Sequence, residues 1–268
     1  MAGCGADTKP ETFEPNLVHS MKYQIQKDIP KEQMAQASAD ANWVVDRMFG
    51  TPDDPKLPEV VTENPQLASI VSLDRLQRAA GPETESGGGL YRKHCVVCHG
   101  ITGNGRGSTA AVQVPYPRDY RLGVFKFKST PRGVKPTRDD LTRAIRDGIA
   151  GTAMKAIPEL SEEDVQALVD YVIYLSWRGE HERRQIDMAV LDGILDGEGD
   201  RLINSDYGKQ IKWQDPESRK AWNEELEQLS EKDESALSEA EQEELELAEQ
   251  FEEDWGYAED YAVEIAEE

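Results

Sequence analysis

The sequence predicts an all-α fold, and three observations predict it. Apolar residues recur at helical spacing in three separate stretches. Two of the candidate helices begin on Thr or Ser followed by an acidic first turn, the arrangement that satisfies free N–H groups and suits the helix dipole. No stretch alternates apolar and polar residues well enough to support a strand.

The first helix is expected over 30–49, where Met34, Ala37, Ala41, Val44, Val45 and Met48 share a face and Gly50 supplies a stop. A second is expected over 64–80, with Leu67, Ile70, Val71, Leu73 and Leu76. The prolines and glycines between them read as loop. A short helix starts at Leu90 and Tyr91. Thr137-Arg138-Asp139-Asp140 opens a helix over 137–147 that Gly148 ends. Ser161-Glu162-Glu163-Asp164 opens another over 161–177, whose buried stripe is Val165, Leu168, Val169, Val172, Ile173 and Leu175. Residues 188–195 form a candidate short helix. Residues 217–255 have helical periodicity broken by long Glu runs, so they read as an exposed charged helix or as disordered chain.

Composition divides the 268 residues into four segments: a tether at 1–15, a helical N-terminal region at 16–80, a central domain at 81–179 and an acidic extension at 180–268. The net charge is −23. Phosphate backbones need a basic surface, so nucleic-acid binding is excluded as a function class. Residues 180–268 hold 30 Asp/Glu and 8 Lys/Arg, whereas residues 1–179 hold 23 and 22, so the acidity belongs to the last third. That extension has three readings: a solubilising end, a segment folded back on a basic surface, or a dock for a basic partner. No run approaches the roughly 18 apolar residues of a membrane span.

The chain has three cysteines, Cys4, Cys95 and Cys98. One close pair and an odd residue do not make a disulfide framework. Cys95-Val96-Val97-Cys98-His99 has the spacing of a c-type haem attachment site. Two thiols one helical turn apart can each reach a vinyl group on one haem edge, and the next residue can turn its imidazole onto the iron. Cys95 and Cys98 are therefore expected to carry one covalent haem c, and His99 to be the proximal iron ligand. Two other chemistries use such residues. A zinc site on His94, Cys95, Cys98 and His99 lacks the usual second Cys/His pair, and a redox dithiol wants a sheet around it.

A second axial ligand is expected at Met154, in a loop 55 residues after His99 and between two capped helices. A loop methionine is ordinarily packing; the position just ahead of a closing helix favours ligation. Met34, Met48 and Met188 read as core, and Met21 has no clear assignment. His19 and His181 are lone histidines without a second attachment motif and read as surface or satisfied groups.

Residues 88–179 resemble a class I monohaem cytochrome c domain of bacterial respiratory type. The resemblance rests on Tyr91, His94-Cys95-Val96-Val97-Cys98-His99-Gly100, Gly103-Asn104-Gly105-Arg106-Gly107, Gly151-Thr152-Ala153-Met154, and Leu160 to Asp164 with Tyr171 and Leu175. It implies a cytochrome c-like helical domain whose first and last helices cross beside the haem, flanked by helical or disordered N- and C-terminal extensions, with His99 and Met154 as axial ligands. Lys155 stands where the family often has proline after the ligand methionine. The implied activity is electron transfer rather than catalysis, as a membrane-tethered carrier or a subunit of a respiratory complex, with redox proteins as partners. The alternatives are a haem-containing enzyme subunit and a haem-based sensor. Residues 118–155 hold ten Lys/Arg and four Asp/Glu, a basic rim suited to steering an acidic partner. Arg118 and Arg121 are the candidates for propionate contact.

The resemblance implies covalent haem attachment on the periplasmic side of the bacterial cytoplasmic membrane, so export is expected. Ala2-Gly3-Cys4 resembles the end of a lipoprotein signal, which makes Cys4 a candidate lipid anchor to the membrane. The expectation is then a misassigned start or a processed form. A single acyl chain binds membranes only marginally, so the anchor needs several chains or a second contact.

Overall fold

The computed structural model describes residues 12–85, 87–197 and 199–268; Cys4 and most of the 1–15 tether lie outside the described residues. These residues contain twelve α-helices and no strand, only two isolated bridges. The helices are α1 (Leu17–Lys27), α2 (Lys31–Phe49), α3 (Glu59–Glu63), α4 (Pro65–Ala68), α5 (Leu73–Ala79) and α6 (Leu90–His94), then α7 (Val96–His99), α8 (Arg138–Asp147), α9 (Glu162–Leu191), α10 (Ser205–Gln210), α11 (Pro216–Ser230) and α12 (Glu239–Glu267). The all-α expectation holds.

The chain folds into two compact units that cut across the expected linear segments. One unit contains Met48–His181 with Ala262–Glu268; the other combines Pro15–Arg47 with Glu182–Tyr261. Composition records local charge, and so it could not reveal that the segments before and after the central domain pair with each other.

In the first unit α6 and α9 cross through their tyrosines. The Tyr91 and Tyr171 rings lie 4.8 Å apart and Tyr171 and Tyr174 5.4 Å apart, all buried. Of the expected α9 stripe, Val165, Leu168, Val169, Val172 and Leu175 are buried and Ile173 is half-buried. Among these apolar residues sits the fully buried Asp170. Its carboxylate accepts from the Ser72 N–H (2.8 Å), Arg75 Nε (2.6 Å) and Arg138 Nη2 (2.6 Å), joining three elements at one point. Buried carboxylates persist only when paired this way.

Two expected helix limits move. The helix over 64–80 is two short ones, because Ser72 turns extended and caps α5 by accepting from the Arg75 N–H. The helix expected to end at 177 runs on to Leu191. Gly179 does not stop it. A Cβ at Gly179 would lie 2.3 Å from the Arg121 Cα, so the glycine marks a close crossing rather than a terminus.

The second unit has its own core. Tyr23, Met34, Ala37, Ala41, Ile186, Ala189, Val190 and Leu195 form one cluster. Trp43, Tyr207, Trp213, Trp222, Phe251 and Trp255 form an aromatic one, with Trp213 centred 5.1 Å from Phe251, 5.5 Å from Trp222 and 5.6 Å from Trp255. The fully buried Asp40 accepts from Arg201 (2.6 Å) and Ser205 (2.7 Å). Residues 217–255 resolve into α11 and α12, correcting the disordered reading. Ser238 and Glu241 exchange capping hydrogen bonds at the start of α12, and Ala248, Phe251, Trp255 and Ala258 bury one face at steps of three and four. The periodicity over 188–195 is the last turn of α9 followed by the Gly193 turn.

Candidate functional site

The first unit contains a cleft of about 710 Å³ whose walls include Cys95, Cys98, His99 and Met154. The motif is one helical turn. His99 N–H donates to the Cys95 carbonyl at 2.8 Å and Cys98 N–H to the same oxygen at 3.1 Å, which brings the three side chains to one face. Backbone hooks hold the turn from behind. Gly105 N–H donates to the His99 carbonyl (2.9 Å), Gly107 N–H to the Cys98 carbonyl (3.0 Å), and the buried Tyr91 hydroxyl to the Gly100 carbonyl (2.9 Å). These are the carbonyls that a helix end leaves unsatisfied. At Gly107 a Cβ would sit 2.3 Å from the Val96 carbonyl oxygen and 2.4 Å from that of Val97, so no larger residue fits.

His99 Nδ1 lies 3.1 Å from the Arg118 carbonyl oxygen. A carbonyl can only accept, so Nδ1 carries the proton and Nε2 keeps its lone pair. Burial lowers the His99 pKa, with the Arg118 carbonyl opposing, so the neutral imidazole dominates near pH 7. The ring stacks on Tyr120 at 4.6 Å and 17°. Tyr120 is itself buried and fixed by its N–H to the Gly103 carbonyl at 2.8 Å. Orientation, tautomer and protonation state are thereby those of a metal-ligating histidine.

Met154, also in the cleft wall, sits in a short closed loop. Gly148 and Lys155 form an isolated bridge, and Ile149 N–H donates to the Met154 carbonyl at 3.0 Å. The Thr152 hydroxyl donates to the Ile149 carbonyl (2.8 Å) and accepts from the Met154 N–H (3.1 Å). Gly148 has φ +71°, and its Cβ would lie 2.6 Å from the Met154 carbonyl oxygen, so glycine is required twice over. The bridge holds the loop although the residue after Met154 is Lys155 rather than proline.

Tyr120, Phe125, Leu141, Ile145, Ile157 and Val172 make much of the cleft wall apolar. Burial pushes the Cys95 thiol up to about 12, with Cys98 adding to it. A redox dithiol relies on a lowered thiol pKa, so that alternative loses ground. Among the described residues no group of three or more His, Cys, Asp or Glu has the arrangement of a metal site. A large planar apolar group, joined through the Cys95 and Cys98 sulfurs and ligated by one imidazole and one thioether, fits this donor set and these walls.

The basic surface is weaker than its charge count. Of the ten basic residues, Arg121, Lys135, Arg138, Arg143 and Arg146 are engaged in ion pairs. Arg118, Lys126 and Lys155 line the cleft beside Asp119 and Asp140. Arg121 is corrected as a propionate contact: it is buried and clamped by Asp119 at 2.9 and 3.0 Å, away from the cleft lining. Two wall residues have roles that the sequence reading did not assign. Gln113 donates to Cys98 Sγ at 3.1 Å, and Tyr120 backs the imidazole. Neither carries a local signal, since each acts by meeting the motif from a distant loop.

Comparison with known proteins bears on residues 82–172. They match the family model described as cytochrome c oxidase, cbb3-type, subunit III. No curated protein matches. Among solved structures, the chain is similar to a component of the reducing HAO-like protein complex of Kuenenia stuttgartiensis, at 36% identity and a TM-score of 0.31, over 34% of this chain and 41% of that one. The chain thus spans less than half the length of that relative. The family match makes residues 82–172 a cytochrome c-like haem domain, of electron-carrier rather than catalytic kind.

Proposed function

We propose that the cytochrome c-like haem domain at residues 82–172 carries one haem c, thioether-linked to Cys95 and Cys98 and ligated by His99 and Met154, and relays single electrons. The observation that carries this reading is that both axial candidates line one largely apolar cleft: His99 with Nδ1 committed to the Arg118 carbonyl, and Met154 held in its bridged loop. When bound, the haem supplies a one-electron iron couple whose potential the axial ligands and the surrounding polarity set.

The chain's own residues do the rest. The Arg118 carbonyl orients His99 and raises its basicity as a ligand. A methionine thioether is a weak donor that favours ferrous iron and raises the potential relative to two histidines. His99 and Met154 would hold the iron between them and would leave no open position for oxygen or peroxide, which separates a carrier from an oxygen-activating enzyme. Tyr120, Phe125 and the aliphatic wall keep water from the site, so charge changes there meet few mobile dipoles. Arg118, Lys126 and Lys155 at the rim suit an acidic redox partner.

In this reading the protein works on the periplasmic side of the bacterial cytoplasmic membrane. It is held there by lipid on Cys4 and acts as a carrier or as a subunit of a respiratory complex. Substituting Met154→Ala tests the ligand set. The oxidised protein loses its weak long-wavelength absorption band, its potential falls, and the ferrous form gains carbon monoxide binding at neutral pH. An unchanged spectrum and potential in Met154→Ala would remove Met154 as ligand. Carbon monoxide binding by the unsubstituted protein would instead favour the enzyme-subunit or sensor reading.

A further inference from the structure

The loop after the attachment turn is folded inside out. Val112 is 86% exposed and Val114 89%, whereas Gln113 between them is half-buried in the wall of the cleft. Apolar side chains outside and a polar one inside reverse the usual order, so the amide needs a reason to be there. Its contacts supply one. Gln113 Nε2 lies 3.1 Å from Cys98 Sγ and 2.9 Å from Thr109 Oγ1. The backbone fixes the approach: Thr109 N–H donates to the Val97 carbonyl (3.0 Å), Ala110 N–H to the Gly107 carbonyl (2.9 Å) and Gln113 N–H to the Ala110 carbonyl (3.1 Å). The loop is thus hung on the attachment turn itself.

One proton decides which end of the amide meets the sulfur. The Thr109 hydroxyl donates its only proton to the Val97 carbonyl at 2.9 Å. Thr109 Oγ1 can then only accept, so the group 2.9 Å from it is the amide nitrogen and not the amide oxygen. The second N–H of that nitrogen is left for Cys98 Sγ. A thiol sulfur donates or accepts, whereas a thioether sulfur has no proton and only accepts. A donor aimed at Cys98 therefore suits the sulfur in its attached form.

We infer that Gln113, held by Thr109, raises the haem potential by keeping the positive end of its amide dipole at the Cys98 sulfur. The inference rests on the proposed covalent attachment at Cys98. An amide has a permanent dipole, and its N–H end favours negative charge close by. Reduction adds one electron at the haem, so the N–H end stabilises the ferrous form. Much of the cleft wall is apolar, so the dipole meets little screening. Hydrogen bonding around the haem is one lever a protein has on the potential, beside the axial ligands and burial. The sign separates this role from filling space. A leucine of similar size removes the dipole and lowers the potential. If Gln113 only excluded water, leucine would make the edge more apolar, disfavour the more positive ferric form and raise the potential.

The test is a redox titration of the haem-loaded full chain. Protein mass confirms covalent attachment, and the oxidised spectrum confirms that the axial ligands are kept. Gln113→Leu lowers the ferrous-to-ferric ratio about threefold at a fixed ambient potential, which is about 28 mV for a one-electron couple. Thr109→Val, at an exposed position, frees the amide and shifts the potential the same way by less. The double variant falls no further than Gln113→Leu alone, because the two residues act as one unit. An unchanged or raised potential in Gln113→Leu overturns the inference, and so do shifts that add in the double variant. A mass without haem in the unsubstituted chain is the separate failure: it overturns the attachment reading, and this inference with it.

Discussion

The two units solve the same problem, holding a buried apolar centre in place, by opposite means. Around the attachment turn of the haem unit the ties are backbone groups close in sequence, Gly107 to Cys98, Gly105 to His99 and the Arg118 carbonyl to the His99 ring, while side-chain ties such as Asp170 to Arg75 serve the helices behind it. In the other unit the ties are side chains separated by most of the chain, such as Arg201 to Asp40 and Asp187 to His19, 161 and 168 residues apart. The first design tolerates almost no change of backbone shape and needs glycine where a Cβ would collide. The second tolerates backbone variation and depends on bulky rings meeting. Closing long loops also costs more entropy, so aromatic burial has to be large where the ties are distant.

Gly107→Ala attacks the first design at its tightest point. Because the Cβ meets two carbonyl oxygens of the motif turn at under 2.5 Å, we expect a loss of about 4 kcal/mol or more in the haem unit. It is read as lower holoprotein yield and earlier loss of the Soret band on heating, with the near-ultraviolet signal of the other unit's tryptophans preserved. Trp213→Ala attacks the second. Three aromatic neighbours would then face a cavity, at a cost of about 3–5 kcal/mol. Here the near-ultraviolet signal melts early while the Soret band and potential stay unchanged. If either substitution lowered both transitions equally, the two units would be one cooperative structure and the contrast would fail.

The same contrast explains what could be read from the sequence. The attachment turn, Met154 and the Thr137 cap are local, and their spacing carried them; the structure brings all four candidate residues to one cleft and forms the Thr137–Asp140 capping box. Asp170 was invisible because its neighbours Val169 and Tyr171 continue the apolar run, and only the arrival of Arg75 and Arg138 makes a carboxylate tolerable there. Gly179 closed the expected central domain, yet α9 passes through it, because a glycine needed for a close crossing and a glycine at a boundary are spelled alike. Helix α1 was not expected at all. Its inward face is hydroxyls, an imidazole and a phenol, which no search for a buried apolar stripe would select. In α12 the buried residues stand three or four apart among glutamates, so the charge masked the stripe.

The smallest expected effect separates the units by pH. In the second unit burial pushes the Asp254 carboxyl up to about 6; the Gln250 amide opposes this, while Glu253 and Asp40 reinforce it. An unfolded Asp titrates near 3.9. The folded state therefore binds this proton more tightly, so the contribution is fully present below about pH 4 and is lost as pH rises through about 6. Acidification from pH 7 to 5 should stabilise this unit by about 1 kcal/mol, a figure discounted for the solvent that reaches a partly exposed group. In the haem unit burial also pushes the Asp140 carboxyl up, but N–H groups of Ser129 and Thr137 outweigh it and hold the carboxyl below its usual range. Its contribution is present above about pH 4 and is lost only on stronger acidification. Between pH 7 and 5 the tryptophan-detected transition should therefore rise while the Soret-detected transition stays level, and Asp254→Asn should abolish the rise. A rise that survives Asp254→Asn would move its origin to other carboxylates of the acidic unit.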